Sequence, residues 1–112
     1  MASIYKIVSA PEWRAAEAAG VFSGSGIDIK DGYIHFSTAN QAPETAAKHF
    51  VGMADLVLVE VNADALDIKW EVSRGGALFP HLYAVLPMSA VRRVVDLPLC
   101  ASGEHRFPDM AE

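Results

Sequence analysis

Hydrophobic positions along this chain fall into runs with two periods. Ile4, Tyr5, Ile7 and Val8, with one lysine between them, predict a strand over 4–8. Ser9-Ala10-Pro11-Glu12 follows and matches a capping box, with Val8 and Trp13 placed as a hydrophobic staple. Pro11 is tolerated in a first turn, and the alanine-rich stretch predicts a helix stopped at Gly20. Residues 23–32 carry Gly24, Gly26 and Gly32 and read as a polar loop. Tyr33 to Ser37 reads as a short strand. Thr38 and Gln41 then form a second cap pair, ahead of a helix carrying Thr45, Ala46, Ala47, His49 and Phe50. Leu56 to Val61 is the most continuous apolar run and predicts a central strand buried on both faces. Strands are also expected over 68–72, 82–86 and 91–97, with Arg74-Gly75-Gly76 as an interruption. After Pro98 no period remains, so residues 98–112 read as a loosely packed tail.

The order β-α-β-α followed by about four strands is α+β. The expected architecture is a small twisted or split antiparallel sheet with two N-terminal helices, in one domain of 112 residues with a core over about 4–97. Gly24-Ser25-Gly26 opens no predicted helix, so the Rossmann fingerprint is absent.

Composition narrows the function classes. Fourteen acidic residues against nine Lys and Arg give a net charge of −5, which argues against nucleic acid as a partner. No run approaches the ~20 apolar residues of a membrane helix, and no basic segment leads into an apolar one at the N-terminus. Neither a membrane partner nor a secretory signal is expected. Cys100 is the only cysteine, so no internal disulfide can form and a reducing cytoplasm fits best.

Three clusters could carry chemistry. Strand alternation places Ile34 and Phe36 toward the core, and Tyr33, His35 and Ser37 on the other face, joined by Thr38 and Gln41. An imidazole, hydroxyls and an amide converging in this way suit a sugar or amide ligand. The plainer alternative is that His35 caps a loop and Ser37 starts a helix. Phe79, His81 and Tyr83 share a face by the same alternation, and suit stacking on a flat heterocycle or ordinary edge-strand packing. Glu71 ends a strand just before a glycine turn and could serve as a base or a ribose acceptor, or be a solvated side chain. No metal site is expected, because His35, His49, His81 and His105 stand at none of the spacings that metal motifs use.

Asp31-Gly32-Tyr33-Ile34-His35-Phe36-Ser37-Thr38, followed by Gln41, Thr45-Ala46 and His49-Phe50, resembles the signature of a small bacterial family, domain of unknown function 952. Trp70-Glu71, Phe79-Pro80-His81-Leu82-Tyr83, the opening Ile4-Tyr5-Lys6-Ile7, Trp13 and Gly20 continue the resemblance over about 4–97. It implies a fold similar to ADP-ribosyltransferases, which bind NAD in a cleft between two small antiparallel sheets. In such enzymes a histidine or arginine on an early strand positions NAD and a late glutamate often orients the nucleophile; the resemblance offers His35 for the first role, and Glu71 or no residue for the second. Tyr33, Ser37, Thr38, Gln41, Phe79, His81 and Tyr83 would be ligand-binding residues. The chain departs from those enzymes in having no Glu-x-Glu or Gln-x-Glu pair on a late strand. The expectation is therefore a binder of NAD or a related nucleotide, as an NAD-dependent transferase if it is an enzyme. The alternative is a non-catalytic small-ligand or protein-binding module on a degenerate version of the fold.

Overall fold

The computed structural model describes residues 2–110. The chain runs β1 (Ser3–Ser9), α1 (Ala10–Ala19), β2 (Val21–Phe22), α2 (Gly26–Asp31), β3 (Ile34–His35), α3 (Ala42–His49), β4 (Leu56–Asn62), β5 (Ile68–Val72), β6 (Leu78–Leu82), β7 (Leu86–Pro87) and β8 (Val91–Leu97). Short 3₁₀ turns fill Ala63–Ala65, Arg74–Gly76 and Met88–Ala90. All strand pairs are antiparallel, in sheets ordered β1-β4-β8, β2-β7 and β3-β6-β5. The fold is α+β, with antiparallel sheets and three helices among the described residues. No helix among the described residues is long and apolar enough to cross a membrane.

The first sheet follows from the hydrophobic pattern. β4 lies between β1 and β8 and is buried from Leu56 to Val61. Alternation divides its residues between two cores. Val57, Val59 and Val61 join Ile4, Val8, Trp13, Phe22, Ile34, Phe36, Leu82 and Leu86 on one side. Leu56 and Leu58 join Tyr5, Ile7, Leu97 and the alanines Ala42 and Ala46 of α3 on the other. Each fully buried Val, Leu or Ile contributes roughly 1.5–3 kcal/mol. Glu60, the one carboxylate in this buried run, accepts from Ser3 Oγ at 2.7 Å and from Arg93 Nε at 2.7 Å. Burial would raise its pKa, but these two partners hold it below the ordinary value.

α1 begins and ends where the sequence signals lie. Ser9 Oγ accepts from Glu12 N–H, and Gly20 closes the helix with a φ of 85° that a side chain disfavours. Four other expectations need correction. The polar stretch 23–32 contains a third helix, α2, whose six residues are too few to show a 3.6-residue apolar period. The strand expected over 33–37 is two residues long, because the chain leaves β6 after Phe36 and bridges to Tyr5 of β1 at Ser37. The strand expected over 82–86 is divided. β6 ends at Leu82 and β7 starts at Leu86 to pair with β2. The tail is packed rather than loose. Leu99 bridges to His105, Phe107 and Met110 lie against the second core, and Arg93 donates to the Asp109 carbonyl. Residues 111 and 112 of that tail lie outside the described residues.

Candidate functional site

The site starts from a charge inside a strand. Lys6 lies among the buried residues of β1, where an unpaired ammonium would be very costly. Its partner is Asp28, 2 % exposed on α2, with Lys6 Nζ at 3.0 Å from Oδ1 and 2.8 Å from Oδ2. Asp28 also accepts from Ser25 N–H at 2.9 Å, which anchors the start of α2. Gly24 is required beside it: its φ is +112°, and a Cβ there would lie 2.9 Å from Asp28 Cβ.

The same carboxylate holds His35. Asp28 Oδ1 lies 3.0 Å from His35 N and 2.6 Å from Nδ1, while Asp31 Oδ2 lies 3.0 Å from Nε2. Both ring nitrogens are engaged, so Lys6, Asp28, His35 and Asp31 form one connected chain. Burial alone would push the Asp28 carboxyl up. The His35 hydrogen bond and the Lys6 charge outweigh it and hold the group well below the carboxylate range. Burial pushes the Lys6 ammonium down, against the pull of Asp28.

β6 brings a second histidine to the first. His35 and His81 are paired across β3 and β6, and their rings meet edge to face at 5.4 Å. His81 is 3 % exposed. Its Nδ1 lies 2.8 Å from Glu71 Oε1, which also accepts from Tyr83 OH at 2.7 Å. The hydrogen bonds from Tyr83 and His81 lower the Glu71 pKa, and donation to Glu71 pushes the Tyr83 hydroxyl up to about 12. Tyr33 completes the group, with its ring 4.5 Å from His35, 4.3 Å from His81 and 4.9 Å from Tyr83. Burial, then the charges of Asp31 and Glu71, raise the Tyr33 pKa.

A cleft of about 590 Å³ lies beside these residues, lined from both three-stranded sheets and from α3. Tyr5, Lys6 and Ile7 come from β1, His35 from β3, Phe79 and His81 from β6, and Thr45 and His49 from α3. That volume suits a small-molecule site, as does a mostly apolar wall with a few polar groups. A smaller cleft of about 340 Å³ is lined by Tyr33, Tyr83, Asp28 and Val85 among others.

The structure thus sorts the expected site residues into three groups. His35, Ser37, Phe79 and His81 line the larger cleft. Tyr33 and Tyr83 line the smaller one, and Glu71 links Tyr83 to His81. Thr38 and Gln41, expected as ligand-binding groups, line neither cleft. Thr38 N–H donates to Gln41 Oε1 and Gln41 N–H to Thr38 Oγ1, while Gln41 Nε2 donates to the Leu78 carbonyl at 2.7 Å. Their polar groups close the turn ahead of α3 on each other, and Gln41 ties that turn to β6. Ser37 has a hydroxyl contact to Thr45 Oγ1 at 3.0 Å. Among the described residues no group of three or more His, Cys, Asp or Glu could hold a metal ion.

Sequence reasoning missed Lys6, Asp28 and Asp31. Two signals pointed to them: a lysine within a run buried on both faces, which demands a carboxylate, and Ser25-Gly26-Ile27-Asp28, which has the spacing of a capping box.

With this geometry in view, comparison with known proteins places the chain. A family model described as "Protein of unknown function (DUF952)" matches residues 7–94. The X-ray crystal structure of protein CC0527 from Caulobacter crescentus is 56% identical, with 93% of each chain covered and a TM-score of 0.89. The solution NMR structure of CC0527 is 57% identical over 93% of this chain and 91% of that one, with a TM-score of 0.84. No curated protein matches.

Proposed function

This chain belongs to the DUF952 family, and we propose that it binds NAD or a related nucleotide in the larger cleft, on a scaffold similar to ADP-ribosyltransferases. The observation that carries the reading is the buried charge network in the cleft wall. A folding core has no need of Lys6, Asp28 and His35 together, and buried ion pairs are weak contributors to stability. Perturbed, paired ionisable groups beside a cavity are what a binding site requires. The position of the cleft, lined from two small antiparallel sheets, supports the likeness to ADP-ribosyltransferases. In this reading Phe79 and Tyr5 face the heterocycle, Ser37 and His81 face polar groups of the ligand, and His35 holds the wall in shape.

A panel of NAD, ADP-ribose, AMP and nicotinamide tests it by melting temperature and by amide NMR shifts. A ligand at about 100 Kd adds roughly 2.7 kcal/mol of stability. The expected result is a raised melting temperature with at least NAD, and shifts centred on Ser37, Phe79 and His81. A panel without effect, or shifts on another face, would refute nucleotide binding.

A second reading, a non-catalytic ligand- or protein-binding module, draws on one observation. Both ring nitrogens of His35 are occupied by Asp28 and Asp31, so the residue expected to position NAD has none left for it. Release of nicotinamide on prolonged incubation with NAD supports the transferase reading, whereas binding without turnover supports the module.

A further inference from the structure

Next to the charge network, the cleft wall contains an atom with nothing to bond to among the described residues. The His81 side chain is 4 % exposed and lines the larger cleft. Its Nδ1 is held by Glu71, which does not line that cleft, and Nε2 has no partner among the described residues. A buried polar atom without a partner is expensive in a folded protein. Where it sits in the wall of a cavity, the missing partner is supplied by what enters the cavity.

The character of that partner follows from the contacts around Glu71. Its Oε1 receives Tyr83 O–H and faces Nδ1, so it acts as a carboxylate acceptor toward both. Nδ1 then carries a proton, and when the ring holds only that one, Nε2 is an acceptor. The tautomer is fixed from outside the cleft, much as a carboxylate fixes a metal-bound histidine. Tyr33, packed at 4.3 Å on the ring, keeps it from turning.

We propose that His81 Nε2, oriented by Glu71, is the subsite that reads a hydroxyl donor on the molecule bound in the larger cleft. The ligand class is a polyhydroxylated one, such as the ribose portion of a nucleotide. The subsite rests on the cleft being the ligand site proposed above, and it moves the direct polar contact from His35 to His81.

The first test needs no ligand. Long-range ¹⁵N–¹H spectra of the histidine-labelled protein should show His81 protonated on Nδ1 and bare on Nε2. A proton on Nε2 overturns the subsite. NAD is then titrated into the wild type and two variants. His81→Asn keeps a donor near the Nδ1 position, and so the Glu71 contact, while losing Nε2. His81→Gln places an amide oxygen near Nε2. In the wild type the Nε2 resonance should move on binding. The Kd should rise about 10-fold in His81→Asn and much less in His81→Gln. If NAD shifts Ser37 and Phe79 while Nε2 stays still and His81→Asn binds as the wild type does, the subsite is wrong and the cleft reading survives. If NAD shifts no cleft residue, both fall together.

Discussion

The sheets β1-β4-β8 and β3-β6-β5 have three strands each, yet they are held in different ways. In the first, β1, β4 and β8 run seven residues apiece, and the buried residues of β1 and β4 are mainly apolar, with Ser3, Lys6 and Glu60 as the polar exceptions. In the second, β3 is two residues long, β5 is largely exposed, and the buried groups include His81. Side-chain hydrogen bonds and ion pairs do much of the work there: Asp28 to His35, Glu71 to His81 and Tyr83, Gln41 to Leu78. The lesson is that burial builds the frame, and polar pairing builds the wall of the cleft against it.

The sharpest test of that contrast is on the apolar side. Phe36→Ala, at 3 % exposure in the first core, should cost ~3–5 kcal/mol, read by urea denaturation. An unchanged midpoint would mean that packing does not dominate there. Asp28→Asn should come next, at ~3 kcal/mol, because it leaves buried Lys6 without its counter-charge. This variant also carries a pH signature. A carboxylate whose pKa is depressed by folding stabilises fully above its unfolded value of about 4, and loses that contribution as pH falls through the folded value. Below pH 4 the wild type should therefore lose stability more steeply than Asp28→Asn. Glu60 and Glu71, also lowered, leave the variant some slope of its own.

Smaller effects refine the picture. His35→Ala should cost ~1–3 kcal/mol, because Asp28 loses a buried hydrogen-bond partner. A His35→Ala protein as stable as the wild type would show that the ring is idle in the fold. Thr38→Ala removes the hydroxyl that accepts Gln41 N–H in the turn ahead of α3 and should cost ~0.5–1.5 kcal/mol with no change in ligand affinity. Weaker binding in the folded variant would return Thr38 to the site. Trp70→Ala, at 46 % exposure on β5, should stay within ~0.5 kcal/mol of the wild type.

The same contrast governs how much could be read in the sequence. β1, α1, β4 and β8 were visible because alternation, a capping box and a Gly stop are local patterns. The family resemblance assigned both His35 and His81 to one ligand site, and the structure brings their rings together. The pairing of Lys6 with Asp28 was not anticipated, because 22 residues separate them and α2 is too short to announce itself. The bonds of Thr38 and Gln41 to each other and of Gln41 to the Leu78 carbonyl were hidden for a related reason: hydroxyls and amides suit local turns and ligands equally, and Leu78 lies far along the chain.

The bridge between Tyr5 and Ser37 offers a practical gauge of the cleft. Two backbone bonds, Tyr5 N–H to the Ser37 carbonyl at 2.7 Å and Ser37 N–H to the Tyr5 carbonyl at 2.8 Å, link β1 to the chain leaving β3. Tyr5 and Ser37 both line the cleft, so any parting of its walls at this point must break those bonds. Deuterium uptake at these two amides then times the breathing of the cleft, and slower uptake would register an occupant even when its identity is unknown.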